Sequence, residues 1–169
     1  QNDLQNRQRP RNTLKLVECK ANKHCQAHKK NKGLKNEREL QSWFIKQLDN
    51  YITKKGRRMI GWDEILEGGL AKNATVMSWQ GEQGGIKAAK MGHDVVMSPQ
   101  TYIYLDHGQS HSPQEPPHWP GHKPLDRAYS YNPIPPSLSK NEAKHIPGVQ
   151  GNVWTVFTHE AWLLELCTW

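Results

Sequence analysis

Residues 58–97 read R-M-I-G-W-D-E-I-L-E-G-G-L-A-K-N-A-T-V-M-S-W-Q-G-E-Q-G-G-I-K-A-A-K-M-G-H-D-V-V-M. Three apolar runs of strand length lie in it, at 58–62, 75–79 and 94–97, and a fourth follows at 149–154. They contain β-branched residues but do not alternate between apolar and polar. Strands buried on both faces of a parallel sheet have this composition. Between the second and third runs, residues 82–91 read as a helix closed by Gly92. Between the first and second there is room only for a tight crossover. Upstream, Leu40, Trp43, Phe44, Leu48, Tyr51 and Ile52 recur at three- and four-residue steps. That spacing predicts an amphipathic helix over 37–55 with one apolar stripe. Asn36 suits its N-cap, Glu39 suits the third position of a capping box, and Gly56 suits the position after the C-cap. Helix, strand, crossover, strand, helix, strand is an α/β rhythm.

Residues 110–136 break it. Eight of the chain's eleven prolines fall there, which predicts a long extended loop without regular elements. His118, Trp119, His122, Tyr129 and Tyr131 are scattered through the loop, so it reads either as a linker or as a segment draped over a site.

The 169 residues are enough for one domain with a real core. The charge is uneven: residues 1–40 hold eleven Lys/Arg against four Asp/Glu, whereas 41–169 hold twelve of each. The whole +7 therefore sits in the first quarter. A basic tail can bind nucleic acid or anionic surfaces, but this one has no interleaved aromatics, and a solvated segment is the better reading. No apolar run reaches membrane-spanning length, and the first residues lack the apolar core of a signal peptide. Cys19 and Cys25 lie six apart with His24 and His28 nearby. This is not a usual zinc spacing, which leaves plain thiols or a local disulfide, and no metal or cofactor is expected.

Trp62, Trp79 and Trp154 each end a predicted strand, and ligands of parallel α/β proteins gather at the carboxyl ends of strands. A single tryptophan there is most simply a cap on the core. Three at equivalent places form the walls of one pocket, flat enough for the C–H faces of a pyranose ring. Tyr104 and Asp106 stand two apart, so in an extended segment both project to the same side. A phenol and a carboxylate facing one cavity suit polyol recognition.

These residues carry a family resemblance. G-W-D-E-I-L-E-G-G-L-A-x-N-A-T-V-M-S-W followed by G-G-I-x-A-A-K-x-G-H-D-V-V-M resembles the catalytic domain of family 20 glycoside hydrolases, the β-N-acetylhexosaminidases. The segments E-L-Q-S-W-F-I, Y-x-Y-x-D and G-V-Q-G-N-V-W-T are similar to the same family in the same order, over about 18–155. The resemblance implies a partial (β/α)8 TIM barrel, with the four strands as its fifth to eighth and the 37–55 helix preceding the fifth. It divides the chain into an unmatched basic segment 1–17, the C-terminal half of a barrel over 18–156, and an unmatched tail 157–169. It also implies a fragment of a longer enzyme, commonly secreted, periplasmic or lysosomal.

Such enzymes remove terminal N-acetylhexosamines from glycans with retention. The substrate's acetamido oxygen attacks the anomeric carbon to give an oxazolinium, outside the usual two-carboxylate scheme. A Glu protonates the leaving oxygen, and the Asp before it orients the acetamido N–H. By resemblance, Trp62, Trp79 and Trp154 are the aromatic walls around the sugar and its acetamido methyl. Tyr104 hydrogen-bonds the acetamido oxygen, and Asp106 takes sugar hydroxyls. The acid pair belongs to an H-x-G-G-D-E motif that this sequence lacks; its place falls near Arg9-Pro10. Val156 stands where the family has a sugar-binding Glu. No catalytic acid is therefore assigned, and the chain alone is expected to be inactive. The alternative is a non-catalytic sugar-binding remnant using the Trp/Tyr/Asp pocket. Half a barrel would also expose open sheet edges, so self-association is expected.

Overall fold

The computed structural model describes Cys19, residues 22–154 and Val156. The basic segment 1–17, with Arg9-Pro10, and the tail 157–169 lie outside the described residues. The chain divides into two compact units, Gln1–Ala74 and Thr75–Trp169.

In the first unit, Cys19 and Cys25 form a disulfide, which settles the two readings left open for this pair. It adjoins helix α1 (Lys23–Asn31), whose N-cap Asn22 accepts from the His24 and Cys25 N–H groups. Helix α2 (Glu37–Lys54) follows the predicted span. Asn36 caps it by accepting from the Glu39 N–H at 3.0 Å. The reciprocal bond is displaced by one residue, since Glu39 Oε2 accepts from the Lys35 N–H rather than from Asn36. Gly56, at φ 69°, takes the left-handed position after the C-cap. Lys29 pairs with Glu37 at 2.8 Å across the α1–α2 turn.

The apolar stripe of α2 does not lie where the periodicity placed it. Its buried residues are Ser42 and Asp49, while Phe44 is 55% and Tyr51 62% exposed. The turn after strand β1 (Ile60–Trp62) explains the inversion over the first half of the helix. That turn opens with a 3-10 helix, Asp63–Leu66. Gln41 donates to the Glu64 carbonyl at 3.3 Å, and Ser42 donates to the Gly69 carbonyl. A Cβ on Gly68, at φ 73°, would stand 2.2 Å from the Arg38 carbonyl oxygen. Glycine is required here by close approach as well as by φ.

In the second unit, strands β2 (Thr75–Ser78) and β3 (Val95–Met97) run parallel, with Val76 opposite Val95 and Ser78 opposite Met97. Every residue of β2 is buried, as a strand covered on both faces must be. Helix α3 (Gln83–Lys90) joins them and ends before Gly92 at φ 81°. Its Gly85 lies so close to the sheet that an added Cβ would be 2.6 Å from Met97 Sδ and 3.0 Å from Val95 Cγ1. After β3 come helix α4 (Gln100–Ile103) and the paired strands β4 (His107–Gly108) and β5 (Trp119–His122). Helices α5 (Leu125–Tyr129) and α6 (Lys140–Ala143) lead to strand β6 (Gly148–Val149), which lies parallel to β3.

Two expectations are corrected here. The proline-rich segment contains a strand and a helix. Prolines 120 and 124 sit where no N–H is needed: the ladder bonds of β5 come from the N–H groups of Trp119 and Lys123. Pro124 precedes α5, and no further proline occurs until 133, which leaves a helical turn room to form. The last predicted strand is also shorter than 149–154. Since β3 gives way to Pro99 and α4, its partner ladder ends at Val149. The chain then pairs with a different segment at Asn152, whose N–H donates to Ile103 O and whose carbonyl accepts from the Leu105 N–H.

Candidate functional site

The second unit gathers four of the predicted residues. Trp79 directly follows β2, and its carbonyl accepts from the Gln100 N–H at 2.9 Å, tying that strand end to α4. Tyr104 caps the other end of α4 and is bridged to Asn152. Asp106 immediately precedes β4. Trp154 lies two residues past the Asn152 bridge. The rings of Trp79 and Tyr104 are stacked with centroids 6.4 Å apart, and the Trp154 ring lies 6.3 Å from Tyr104 on a tilted plane. Trp154 also donates its backbone N–H to Asp106 Oδ2 at 3.3 Å. One residue thus touches both members of the Tyr-x-Asp pair. Tyr104 is 8% exposed whereas Trp154 is 43% exposed, so the cluster has a buried floor and an open wall.

A hydrogen-bonded seam beneath it fixes this arrangement. Asn152 Nδ2 donates to Ser98 Oγ, which donates to the Gln150 carbonyl at 2.9 Å. Both Ser98 and Asn152 are buried, so their bonds hold the 148–154 segment in one register.

Asp106 is the most unusual member. It is 5% exposed, and among the described residues its Oδ1 has no hydrogen-bond partner. Burial pushes its carboxyl above the usual carboxylate range, opposed by its own backbone N–H, the Trp154 N–H and the charge of Lys123. A buried carboxylate oxygen left unpaired costs about 1–3 kcal/mol or more; Asp49 Oδ1 on α2 is in the same position.

Trp62, the fifth predicted residue, is the half-buried last residue of β1 in the first unit. Val156 is 55% exposed. Among the described residues, no group of three or more His, Cys, Asp or Glu could hold a metal ion, and no helix is long and apolar enough to cross a membrane.

Sequence reasoning missed Lys123 and His107. Lys123 Nζ lies 2.8 Å from His107 Nε2 and donates to the Gln100 carbonyl. Burial, then the neighbouring Lys123 charge, pulls His107 down to about 4; burial also lowers Lys123 to about 8, against the attraction of Asp106. One signal was present: Lys123 is the only Lys or Arg between positions 91 and 126.

The parallel α/β frame and this aromatic–carboxylate cluster have counterparts in known proteins. The family model described as Glycosyl hydrolase family 20, catalytic domain, matches residues 14–169, and the chain belongs to that family. It is 50% identical over 136 residues to a beta-hexosaminidase of Porphyromonas gingivalis (strain ATCC BAA-308 / W83), covering 80% of this chain and 18% of that protein. To a beta-hexosaminidase of Vibrio furnissii it is 34% identical over 133 residues, covering 77% and 22%. Among solved structures, it resembles the GH20 exo beta-N-acetylglucosaminidase from Vibrio harveyi in complex with N-acetylglucosamine. That likeness has a TM-score of 0.77 and 30% identity, over 86% of this chain and 23% of the other. The chain therefore spans about a fifth of the length of these relatives. The family match also takes in the 157–169 tail that motif content alone set apart. The solved neighbours are TIM-barrel enzymes, and the α/β order found here accords with that fold.

Proposed function

We propose that this chain carries one side of the N-acetylhexosamine pocket of a β-N-acetylhexosaminidase. The observation that carries the reading is the unpaired, buried Asp106 Oδ1 beside the Trp79–Tyr104–Trp154 cluster. A pyranose stacked on the exposed Trp154 wall would bring its hydroxyls to that oxygen and its acetamido group to the Tyr104 phenol. Within this reading the strands are the fifth to eighth of a (β/α)8 barrel, and residues 18–156 form the segment that carries the site. In a full-length enzyme of this kind, hydrolysis would be retaining and substrate-assisted, through an oxazolinium. Holding the acetamido oxygen near the anomeric carbon makes the attack effectively intramolecular, which lowers the barrier through proximity.

The sequence lacks H-x-G-G-D-E and carries Val156 in place of a sugar-binding Glu. The missing acid pair favours a chain that does not hydrolyse sugar alone, whereas Val156 removes one sugar contact and counts against tight binding. The exposed Phe44, Leu48 and Tyr51 of α2 support association with a further copy or segment.

Titrating the purified chain with N-acetylglucosamine and following tryptophan fluorescence tests the binding reading. Saturable quenching that glucose does not reproduce is expected, and a flat titration removes the proposal. Release of chromophore from an N-acetylglucosaminide by the chain alone would overturn its assignment as non-hydrolytic.

A further inference from the structure

We propose that Lys123 is a positioning residue for this site, its ammonium fastening the loop that carries Asp106 to the helix that carries Tyr104 and placing a positive charge near the Asp106 carboxylate. The sugar-binding role of Asp106 rests on the reading above; the pairing of Lys123 with its neighbours does not.

Three segments meet at Lys123. Its Nζ donates to the carbonyl of Gln100, the first residue of α4. It also lies 2.8 Å from Nε2 of His107, the residue after Asp106. An ammonium can only donate, so Nε2 must be the acceptor and the ring proton must sit on Nδ1. The other ring nitrogen agrees, since Nδ1 lies 3.0 Å from the Pro120 carbonyl, which can only accept. His107 held down to about 4 is the neutral ring this geometry needs. Main-chain bonds complete the frame: Trp119 N–H donates to Asp106 O at 3.1 Å, and Lys123 N–H donates to Gly108 O at 2.9 Å. Among the described residues, the polar contacts of the Lys123 side chain therefore go to the residues leading into Tyr104 or following Asp106.

The surrounding charges are few. Asp106 attracts the ammonium, Arg127 on α5 opposes it, and His118 just before β5 acts on His107. Asp106 is the acidic group whose charge acts on Lys123, and Lys123 is the cation that draws Asp106 down against its burial. Removing the ammonium should leave a buried carboxylate opposed by burial with two N–H groups as its remaining support.

The test follows the carboxyl carbon of Asp106 by 13C NMR as pH is varied, in the full chain and in Lys123→Gln and Lys123→Met. Gln keeps a donor for the Gln100 carbonyl without the charge, and Met removes both. The Asp106 midpoint should move upward in both variants, and Lys123→Arg should restore it. An unchanged midpoint in a folded variant overturns the proposal, because a merely structural lysine would leave it in place. Should both variants fail to fold, the wild type decides. Coupled titration of the Lys123 ε-carbon and the His107 ring, with cross-relaxation between them, supports the pairing, and independent behaviour overturns it. Failure of the wild type to bind N-acetylglucosamine removes the sugar reading while leaving the titration result standing.

Discussion

Asp106→Asn separates binding from stability at one position. The substitution keeps the side chain's shape, so its carbonyl oxygen can still accept from the Trp154 N–H. The amide nitrogen then occupies the place of the unpaired Oδ1, and the charge is gone. Because burial outweighs every favourable contact and raises the Asp106 pKa, ionisation at neutral pH costs the folded state. A raised carboxyl favours the fold at low pH, and that advantage is lost as pH rises from the unfolded value through the folded one. Neutralising it should therefore leave stability near pH 7 unchanged or improved. Sugar binding should move the other way. Hydrogen bonds to a charged acceptor are worth about 1.5–3 kcal/mol each, so losing one weakens binding about 10- to 150-fold. Urea denaturation followed by far-ultraviolet circular dichroism gives the first quantity, and the fluorescence titration with N-acetylglucosamine gives the second. A variant that loses stability while binding sugar normally would refute the reasoning and make Asp106 scaffolding.

Two further substitutions probe the frame. Gly85→Ala places a methyl against Met97, Val95 and Ser78. Overpacking of about 1–3 kcal/mol should exceed the gain in helix propensity of up to about 1 kcal/mol, giving a lower urea midpoint; a higher one would show that the α3–β3 contact has slack. His107, lowered to about 4, stays neutral in the fold where the unfolded chain takes up a proton. Its contribution should therefore be present above about pH 6.5 and fall away toward about 4, by roughly 2 kcal/mol after allowance for screening. Comparing wild type with His107→Gln isolates this step from the opposite trend of Asp106; parallel pH curves would exclude it.

The parts legible in sequence were those decided by neighbours along the chain. Asn36 and Gly56 mark the ends of α2, Gly92 ends α3, and the β-branched runs became β2 and β3, because caps and short buried strands need only local chemistry. The exposed stripe of α2 was not legible. Periodicity finds an apolar face without saying what covers it, and here Ser42 reaches the Gly69 carbonyl instead. In the 110–136 segment, composition counted prolines while the structure used their positions, with Trp119 and Lys123 supplying the N–H groups. At the site, the aromatics and Asp106 could be picked out by residue type. The Lys123–His107 pair could not, because it joins residues 16 apart through a parallel pairing that no local pattern encodes.

The only Asp-Glu dipeptide, Asp63-Glu64, shows how such a signal can mislead. Adjacent carboxylates after a strand invite an acid–base reading, and the pair does follow β1. Yet Asp63 is buried at the start of the 3-10 turn, and the Glu64 carbonyl is engaged by Gln41 of α2. A proton donor must reach its substrate, whereas this turn is pressed onto a helix closely enough that Gly68 leaves no room for a Cβ. Asp106 presents the reverse case, a lone carboxylate with a buried oxygen unspent and aromatic rings beside it. Asp49 of α2 also leaves a buried Oδ1 without a partner among the described residues, so it is the aromatic rings beside Asp106, added to the unspent acceptor, that make it the candidate for a ligand.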